Sequence, residues 1–294
     1  MSRPRTAFVF AGGAALGAAQ AGMLKALYEA NITPDLLTGV SIGAWNAAYL
    51  ARAPSKEMVD SLCSFWQSLS NQRIFSRFPK LNAIRQLLGR KPHLFSGTGL
   101  SEIAAELFSD CSFESLALPL TVLATDVNGA HPKVFREGPL APAVLASSAL
   151  PTAFPPVEIA GHWYIDGGVV TNVPLDLAVR MGAERYVVLD AGIPCHRNGE
   201  DRPTLPEILG LVSTVASRQR VQSILPHVVA GAPVLYLSLP CPVTQSPFDF
   251  SAAGALIASG YESASKLLRE GWGTEPGLTG RPHDHEMDLA NPWS

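Results

Sequence analysis

The chain has few charged residues and no long apolar run. Only 16% of its 294 residues are charged and the formal net charge is −3, so the overall charge does not favour binding to nucleic acid. No uninterrupted apolar segment of about 18 residues occurs, which argues against a membrane span. The N-terminal apolar run is interrupted by glycine, unlike the core of a cleaved signal peptide. We therefore expect a cytoplasmic protein.

Cysteine is scarce and is not arranged in motifs. The four cysteines are far apart in the sequence and form no C-x-x-C pair: Cys63, Cys111, Cys195 and Cys241. This spacing is typical of buried or free thiols in a reducing compartment, not of a disulfide framework or a zinc site.

Apolar residues make up 47% of the chain, enough for one sizeable core. We expect a single domain over residues 1–272, with a helical insertion at about 55–109. From residue 273 onward glycine, proline and charged residues dominate, which predicts a disordered tail over 273–294. The tail contains His283-Asp284-His285-Glu286, but a solvated tail is a better interpretation than a metal site.

The segment from Ala7 to Ala51 contains two consecutive strand–turn–helix units. Phe8–Ala11 is a short apolar run, typical of a buried parallel strand. A glycine-containing turn over Gly12–Gly17 precedes an alanine-rich helix that we expect to end near Ala30. The second apolar run, Leu36–Val40, leads directly into the sequence Gly39-Val40-Ser41-Ile42-Gly43.

The G-x-S-x-G sequence favours a nucleophile elbow. A serine between a strand and a helix occupies a tight, strained turn in such elbows. Gly39 and Gly43 would let neighbouring backbone pass where a Cβ atom would clash. The hydroxyl of Ser41 would then lie at the positive end of the following helix, which stabilises negative charge.

The first turn offers a complementary group of donors. Consecutive N–H groups at Gly12, Gly13 and Ala14 can form a concave nest for a developing anion. A competing interpretation is a degraded dinucleotide-binding fingerprint, with Gly17 as its last glycine. That interpretation needs an acidic residue at the end of the second strand, whereas Asp35 lies at its beginning.

Three aspartates each end an apolar strand and could reach a site at the sheet edge: Asp126, Asp166 and Asp190. Asp166-Gly167-Gly168 is also a good tight turn in its own right. Spacing alone does not choose among the three carboxylates.

A histidine base is the alternative to a lone carboxylate. The seven histidines are His93, His131, His162, His196, His227, His283 and His285. His162 shares a strand with Asp166, but four residues of strand separate the two by about 13 Å, too far for contact. A Ser-His-Asp triad of the α/β-hydrolase type remains a less favoured alternative, because the elbow there comes after several strands and the histidine late.

Three motifs in order resemble those of the patatin-like phospholipases: the glycine turn at Gly12–Gly17, the G-x-S-x-G elbow and Asp166-Gly167-Gly168. The resemblance implies a three-layer α/β/α fold with a mainly parallel sheet and the elbow after the second strand. This chain departs from the loop pattern G-G-G-x-R/K-G that is common in the family, since Ala14 stands in place of the third glycine and Leu16 in place of the basic residue.

The resemblance also implies a serine acyl hydrolase acting on lipid esters, as a phospholipase A, lysophospholipase or lipase-type esterase. Ser41 would be the nucleophile and Asp166 its only base. The oxyanion donors would be the N–H groups of Gly12, Gly13, Ala14 and Ile42, with no metal or organic cofactor. Glycines would support the turns at positions 17, 39, 43, 167 and 168. A catalytically silent patatin fold that binds lipid or a partner is the alternative, and a nucleotide-binding regulator is less favoured.

Residues 73–91 form a basic, amphipathic stretch. They include six basic residues and no acidic one, and apolar residues alternate with the cations. Such a stretch can lie on an anionic membrane surface, although a solvated helix over the core is the simpler interpretation. Further along, apolar residues at helical spacing predict a helix over Leu205–Leu225.

Overall fold

The computed structural model describes residues 5–75, 93–192, 205–240 and 245–282. Within them nine strands form one sheet. The strands are β1 (Thr6–Phe10), β2 (Leu36–Val40), β3 (Leu120–Asp126), β4 (His131–Phe135), β5 (Val157–Ile159), β6 (His162–Asp166), β7 (Arg185–Asp190), β8 (Pro233–Ser238) and β9 (Gly277–Gly280).

The described helices cover both faces of this sheet. They are α1 (Ala18–Glu29), α2 (Ile42–Ala51), α3 (Lys56–Ser68), α4 (Asn71–Phe75), α5 (Thr98–Phe108), α6 (Leu140–Ser147), α7 (Leu175–Arg180), α8 (Leu205–Gly231) and α9 (Ala253–Glu270). Short 3₁₀ turns lie at Ala14–Gly17, Phe113–Ser115, Gly167–Val169 and Phe250–Ala252.

The sheet is parallel at its centre and antiparallel at one side. Its order is β5-β6-β3-β2-β1-β7-β8-β9, and β4 also pairs with β3. The six strands from β3 to β9 in that order run parallel, whereas β6 runs antiparallel to β3 and to β5. β1, β2 and β3 are buried along their whole length, as expected of parallel strands covered on both faces.

Two apolar clusters lie on opposite sides of the sheet. The larger joins side chains such as Phe8 and Leu37 to α1, α2, α3, α5, α6 and α9. The smaller joins Val9 and Val188 to α7 and α8. The three-layer α/β/α prediction is therefore confirmed, with the elbow directly after the second strand.

The structure corrects the predicted tail. Residues Gly277–Gly280 form β9, which pairs in parallel with β8, so disorder from residue 273 is wrong for this part of the chain. The edge of β8 offers hydrogen bonds that compensate for the poor strand propensity of the two glycines in β9. The rest of the predicted tail, residues 283–294, lies outside the described residues.

Candidate active site

Ser41 occupies the strained turn that the elbow sequence predicts. Its φ is 54° and its ψ is −131°, a region that non-glycine residues adopt only where the surrounding structure enforces it. A Cβ atom on Gly39 would come within 2.7 Å of the Cα atom of Ala44, and one on Gly43 would overlap the carbonyl oxygens of Phe10 and Ala11. Both glycines are thus required by close backbone contacts.

The Ser41 hydroxyl donates a hydrogen bond to the Asp166 carboxylate. The distance from Ser41 Oγ to Asp166 Oδ2 is 2.6 Å. The other carboxylate oxygen accepts the N–H of Gly168 at 2.7 Å, which holds the carboxylate in one orientation. Because the Ser41 hydroxyl is hydrogen-bonded to Asp166, it does not cap helix α2.

The environment of Asp166 makes it a stronger base than an exposed aspartate. Its side chain is buried, and burial raises its pKa from 3.8 to about 6. The hydrogen bonds from Ser41 and Gly168 oppose that rise because they favour the charged form. The carboxylate thus remains ionised at neutral pH, with a basicity much closer to that pH.

Strand register explains how two residues far apart in sequence meet. Val40 pairs with Leu123 on β3, and Asp166 pairs with the next residue, Ala124. Because β4 pairs with residues 122–126 along one side of β3, β2 and β6 follow one another along the other side. Ser41, the residue after Val40, therefore lies next to Asp166. Asp166 reaches this place because β6 runs antiparallel to β3, whereas the sequence predicted a carboxylate at the carboxyl end of a parallel strand.

The glycine turn is close to the serine, but its donors are not equivalent. The N–H of Gly12 donates to the carbonyl oxygen of Asn172 at 3.0 Å, so the predicted oxyanion role of Gly12 is corrected. In contrast, among the described residues the N–H groups of Gly13, Ala14 and Ile42 have no hydrogen-bond partner. Ala14 adopts a φ of 49°, which its methyl group tolerates only with strain.

Gly12 instead has a steric role. A Cβ atom there would overlap the side-chain oxygen of Asn172 and lie 3.2 Å from the Cβ atom of Ser41. Gly17 has a similar role, since its Cβ atom would lie 2.7 Å from the Cγ2 atom of Ile42. Gly167 likewise has no room for a Cβ atom beside the carbonyl oxygen of Leu123. These positions allow the turn, the elbow and β3 to pack in direct contact.

Two residues that the sequence-based reasoning did not assign hold the site together. Asn172 binds both sides of Gly12, since its carbonyl accepts the Gly12 N–H and its Nδ2 donates to the Gly12 carbonyl at 3.1 Å. Ser147 accepts the Ser41 N–H at 2.8 Å and donates to the carbonyl of Leu123 at 2.6 Å. No spacing rule identifies either residue, because both contacts join segments over 100 residues apart.

A buried amide network supports the glycine turn at both ends. Gln20 Nε2 donates to the carbonyls of Ala11 at 2.7 Å and Leu189 at 2.9 Å. Asn46 Nδ2 lies 2.9 Å from the carbonyl of Gly17 and 2.7 Å from Gln20 Oε1. The turn is therefore held rigidly before a substrate arrives, which is a requirement for an effective oxyanion site.

The other two strand-end aspartates make turn contacts. Asp126 accepts the N–H groups of Asn128 and Gly129 and contacts His162 Nδ1 at 3.1 Å. Asp190 accepts the N–H of Gly192 at 2.9 Å and the Tyr236 hydroxyl at 2.8 Å. These contacts give both carboxylates structural roles at the ends of their strands.

The histidines of the described chain have other partners. The Nδ1 atoms of His93, His131 and His227 donate to backbone carbonyls of Phe95, Pro132 and Ser223, and His162 binds Asp126. His196, His283 and His285 lie outside the described residues, as does the acidic and histidine-rich segment 283–286. In the part of the chain that is described, no group of three or more His, Cys, Asp or Glu could hold a metal.

Most of the basic stretch lies outside the described residues, which include only its first three, 73–75. Of these, Arg73 pairs with Glu106. Across the described ranges, no helix combines the length and apolar character that crossing a membrane requires.

Comparison with known proteins finds sequence similarity over the segment that contains these motifs. A family model described as patatin-like phospholipase matches residues 8–179, which include the glycine turn, Ser41 and Asp166. The rat patatin-like phospholipase domain-containing protein 7 is 33% identical over 188 residues, 63% of this chain and 13% of that protein. The Drosophila melanogaster neuropathy target esterase sws is 31% identical over 186 residues, with the same two shares.

Similarity to solved structures is weaker. The crystal structure of VipD from Legionella pneumophila aligns over 92% of this chain and 67% of VipD, with 14% identity and a TM-score of 0.45.

Proposed function

The chain belongs to the patatin-like phospholipase family, and from this premise we propose that it hydrolyses carboxylic esters of lipids through an acyl-serine at Ser41. The single observation that carries the proposal is the 2.6 Å hydrogen bond between the strained Ser41 and the buried Asp166. The curated relatives support a lipid substrate, although the chain spans only 13% of their length.

The first half of the reaction forms the acyl-enzyme. Ser41 Oγ attacks the ester carbonyl carbon while its proton passes to Asp166 Oδ2. Because a carboxylate with a pKa of about 6 is far less basic than an alkoxide, proton transfer accompanies the attack. The carbonyl π electrons move onto oxygen, and that oxyanion accepts hydrogen bonds from the N–H groups of Gly13, Ala14 and Ile42.

Collapse of this tetrahedral intermediate breaks the bond to the alcohol. The alcohol leaves with the proton that Asp166 received, which regenerates the carboxylate. A water molecule then loses a proton to Asp166 as it attacks the acyl carbon, and the second intermediate releases the carboxylic acid and returns the proton to Ser41. The oxyanion donors act in both halves, and one such donor typically contributes about 3 kcal/mol.

A fluorophosphonate probe tests this proposal without knowledge of the natural lipid. We expect the probe to label the wild-type protein and not Ser41→Ala, and Ser41→Ala to lose p-nitrophenyl ester hydrolysis by about 10⁴-fold or more. Asp166→Asn should be nearly as inactive, whereas His162→Ala, which removes the partner of Asp126, should retain substantial activity.

Three results would contradict the proposal. Wild-type turnover in Ser41→Ala would exclude the serine as nucleophile. A larger loss in His162→Ala than in Asp166→Asn would favour a histidine base. A folded wild-type protein that neither reacts with the probe nor hydrolyses esters would favour the catalytically silent, lipid-binding alternative.

A further inference from the structure

A chain of buried hydrogen bonds joins helix α3 to both ends of the glycine turn. It begins at the indole of Trp66, whose N–H donates to Asn46 Oδ1 at 2.9 Å. Asn46 Nδ2 donates to the carbonyl of Gly17 at 2.9 Å and to Gln20 Oε1 at 2.7 Å. Gln20 Nε2 in turn donates to the carbonyl of Ala11 at 2.7 Å. The chain therefore ends on the residue that precedes the turn and on the residue that closes it.

The direction of every bond in this chain is fixed by Trp66. An indole N–H can only donate a hydrogen bond, so Asn46 must present its oxygen to Trp66 and its amino group to the turn. Gln20 accepts one of those N–H groups at its oxygen, so its own amino group must point to the carbonyls of Ala11 and Leu189. Trp66, Asn46 and Gln20 are each at most 1% exposed. A lost bond would therefore leave a buried polar atom unpaired, which is unfavourable.

The peptide group between Ala11 and Gly12 is held at both its oxygen and its nitrogen. Gln20 donates to its oxygen at 2.7 Å, and the carbonyl of Asn172 accepts its N–H at 3.0 Å. Because a peptide group is planar, these two bonds set its orientation. They therefore also set the direction in which the chain continues to Gly13, the first of the proposed oxyanion donors.

We propose that Trp66 is a positioning residue for catalysis, which acts through Asn46 and Gln20 to hold the glycine turn in the geometry that stabilises the oxyanion. The inference rests on the proposed function, because an effect on turnover requires acyl transfer at Ser41. The turn binds negative charge that develops on the ester oxygen only as the reaction proceeds. Loss of the indole N–H should therefore lower kcat more than it weakens substrate binding.

Trp66→Phe removes the indole N–H and keeps an aromatic ring, which can still stack on Phe250, whose ring centroid lies 6.1 Å from that of Trp66. Tyr186→Phe is the matched control. The Tyr186 hydroxyl is also a buried donor, to the carbonyl of Ala183 at 2.6 Å, and the side chain packs in the smaller apolar cluster on the other side of the sheet. Both variants lose one buried donor, and only Trp66→Phe loses it from the network.

Steady-state hydrolysis of p-nitrophenyl acetate measures the effect on turnover. We expect kcat to fall about tenfold in Trp66→Phe with little change in KM, since a displacement of about 1 Å at a catalytic group can cost about 100-fold. Tyr186→Phe should stay near the wild-type kcat. The midpoint of the pH profile should stay near pH 6 in both variants, because Ser41 and Asp166 keep their contact. Equal kcat in the two variants, or a loss expressed only in KM, would overturn the positioning role.

Asn46→Leu tests whether Trp66 acts through the network. This variant removes the bonds to Gly17 and Gln20, so kcat should fall by about 100-fold. Because Trp66 reaches the turn through Asn46, the added Trp66→Phe should lower kcat no further. A further tenfold loss in the double variant would show that Trp66 acts by another route and would overturn the proposal.

Amide hydrogen exchange separates the network from catalysis. The N–H groups of Gly12 and Leu16 in the turn are hydrogen-bonded to backbone carbonyls, so they should be protected from exchange. A peptide that covers the turn should exchange faster in Trp66→Phe than in wild type, and at the wild-type rate in Tyr186→Phe. This pattern in a protein that neither hydrolyses esters nor reacts with fluorophosphonate would support the hold of Trp66 on the turn and contradict the proposed reaction. Equal exchange in the two variants would overturn that hold.

Discussion

At the scale of single residues, the site depends on Ser41 and Asp166, whose hydrogen bonds differ from those usual for a serine at a helix start and for an exposed aspartate. Ser41 begins a helix without capping it, because its hydroxyl binds Asp166. Asp166 is ionisable yet buried, and its carboxylate accepts hydrogen bonds from Ser41 and Gly168 in the described part of the chain. Burial is therefore the main reason that its pKa rises to about 6.

Activity should depend on the ionisation of Asp166. The carboxylate accepts the Ser41 proton, so kcat/KM for a short p-nitrophenyl ester should rise with pH to a plateau, with a midpoint near pH 6. A midpoint near 4, typical of an exposed aspartate, would contradict the effect of burial.

The raised pKa of Asp166 also affects the stability of the folded protein. Between about pH 4 and 6 the folded protein keeps a proton on Asp166 that the unfolded chain releases, so this contribution to stability declines as pH rises through 6. The full difference corresponds to about 3 kcal/mol. Asp166→Asn, which cannot ionise, should therefore gain thermal stability relative to wild type at pH 8, with a smaller difference at pH 4.

Asn172 is a positioning residue, and its loss should impair catalysis more than folding. Asn172→Leu retains the backbone bond with Gly12 but removes the Nδ2 bond to the Gly12 carbonyl. The adjacent donors Gly13 and Ala14 would shift, and a displacement of about 1 Å can lower kcat by about 100-fold. Steady-state kinetics should show this loss in kcat with little change in KM.

Fluorophosphonate labelling provides the control for Asn172→Leu. Labelling of Ser41 should persist at a reduced rate, because Ser41 and Asp166 are unchanged. Full wild-type kcat in this variant would show that the turn is held without Asn172.

At the scale of elements, the buried face of a helix is not always the face on which its apolar residues lie. The helix predicted over Leu205–Leu225 exists as α8, but Val212 and Val215 of its apolar stripe are 62% and 45% exposed. The buried side of α8 at this level contains Ser217, which accepts the Asn172 N–H, while Ser213 donates to the Gly168 carbonyl. Spacing predicted the helix, and polar contacts to the site determine which face is covered.

The packing of α1 against α9 depends on paired glycines. A Cβ atom on Gly22 would overlap the carbonyl oxygen of Ile257, and one on Gly260 would overlap that of Ala19. The two helices therefore approach with backbone in direct contact, and α1 carries Gln20, which supports the glycine turn.

Gly260→Ala should destabilise the protein by about 1–3 kcal/mol, as overpacking does in close-packed interiors. Gly254→Ala on the same helix is the matched control, since nothing lies within 4 Å of its Cβ position. There alanine should stabilise by up to about 1 kcal/mol through helix propensity. Urea unfolding of both variants measures the difference, and equal effects would contradict the close contact.

At the scale of the whole molecule, β9 completes the parallel side of the sheet. Its pairing with β8 is supported by Leu278, which packs against the smaller apolar cluster. This strand covers an edge that would otherwise present unpaired backbone groups of a buried, apolar strand.

Removal of β9 should therefore destabilise the domain. A chain ended at Trp272 should unfold at least about 2 kcal/mol more easily than one ended at Pro282, because it loses the Leu278 contacts and the β8–β9 hydrogen bonds. It should also aggregate more readily on heating. Equal thermal midpoints for the two truncated chains would show that β9 contributes little.

Local sequence was sufficient for the first half of the site. The order of strand, glycine turn, helix, strand, elbow and helix over Ala7–Ala51 depends on neighbouring residues, and glycine and apolar spacing encode it directly. The choice of Asp166 among three strand-end aspartates came from resemblance to a family, not from spacing.

Only the tertiary structure decided the contacts that join distant segments. The antiparallel course of β6 brings Asp166 beside Ser41, on the same side of β3 as β2, and Asn172 occupies the Gly12 N–H that was predicted to bind an oxyanion. β9 forms from a glycine-rich segment because an open strand edge is available beside it. Such contacts depend on strand register and on burial, which local patterns do not encode, and burial also sets the pKa of Asp166.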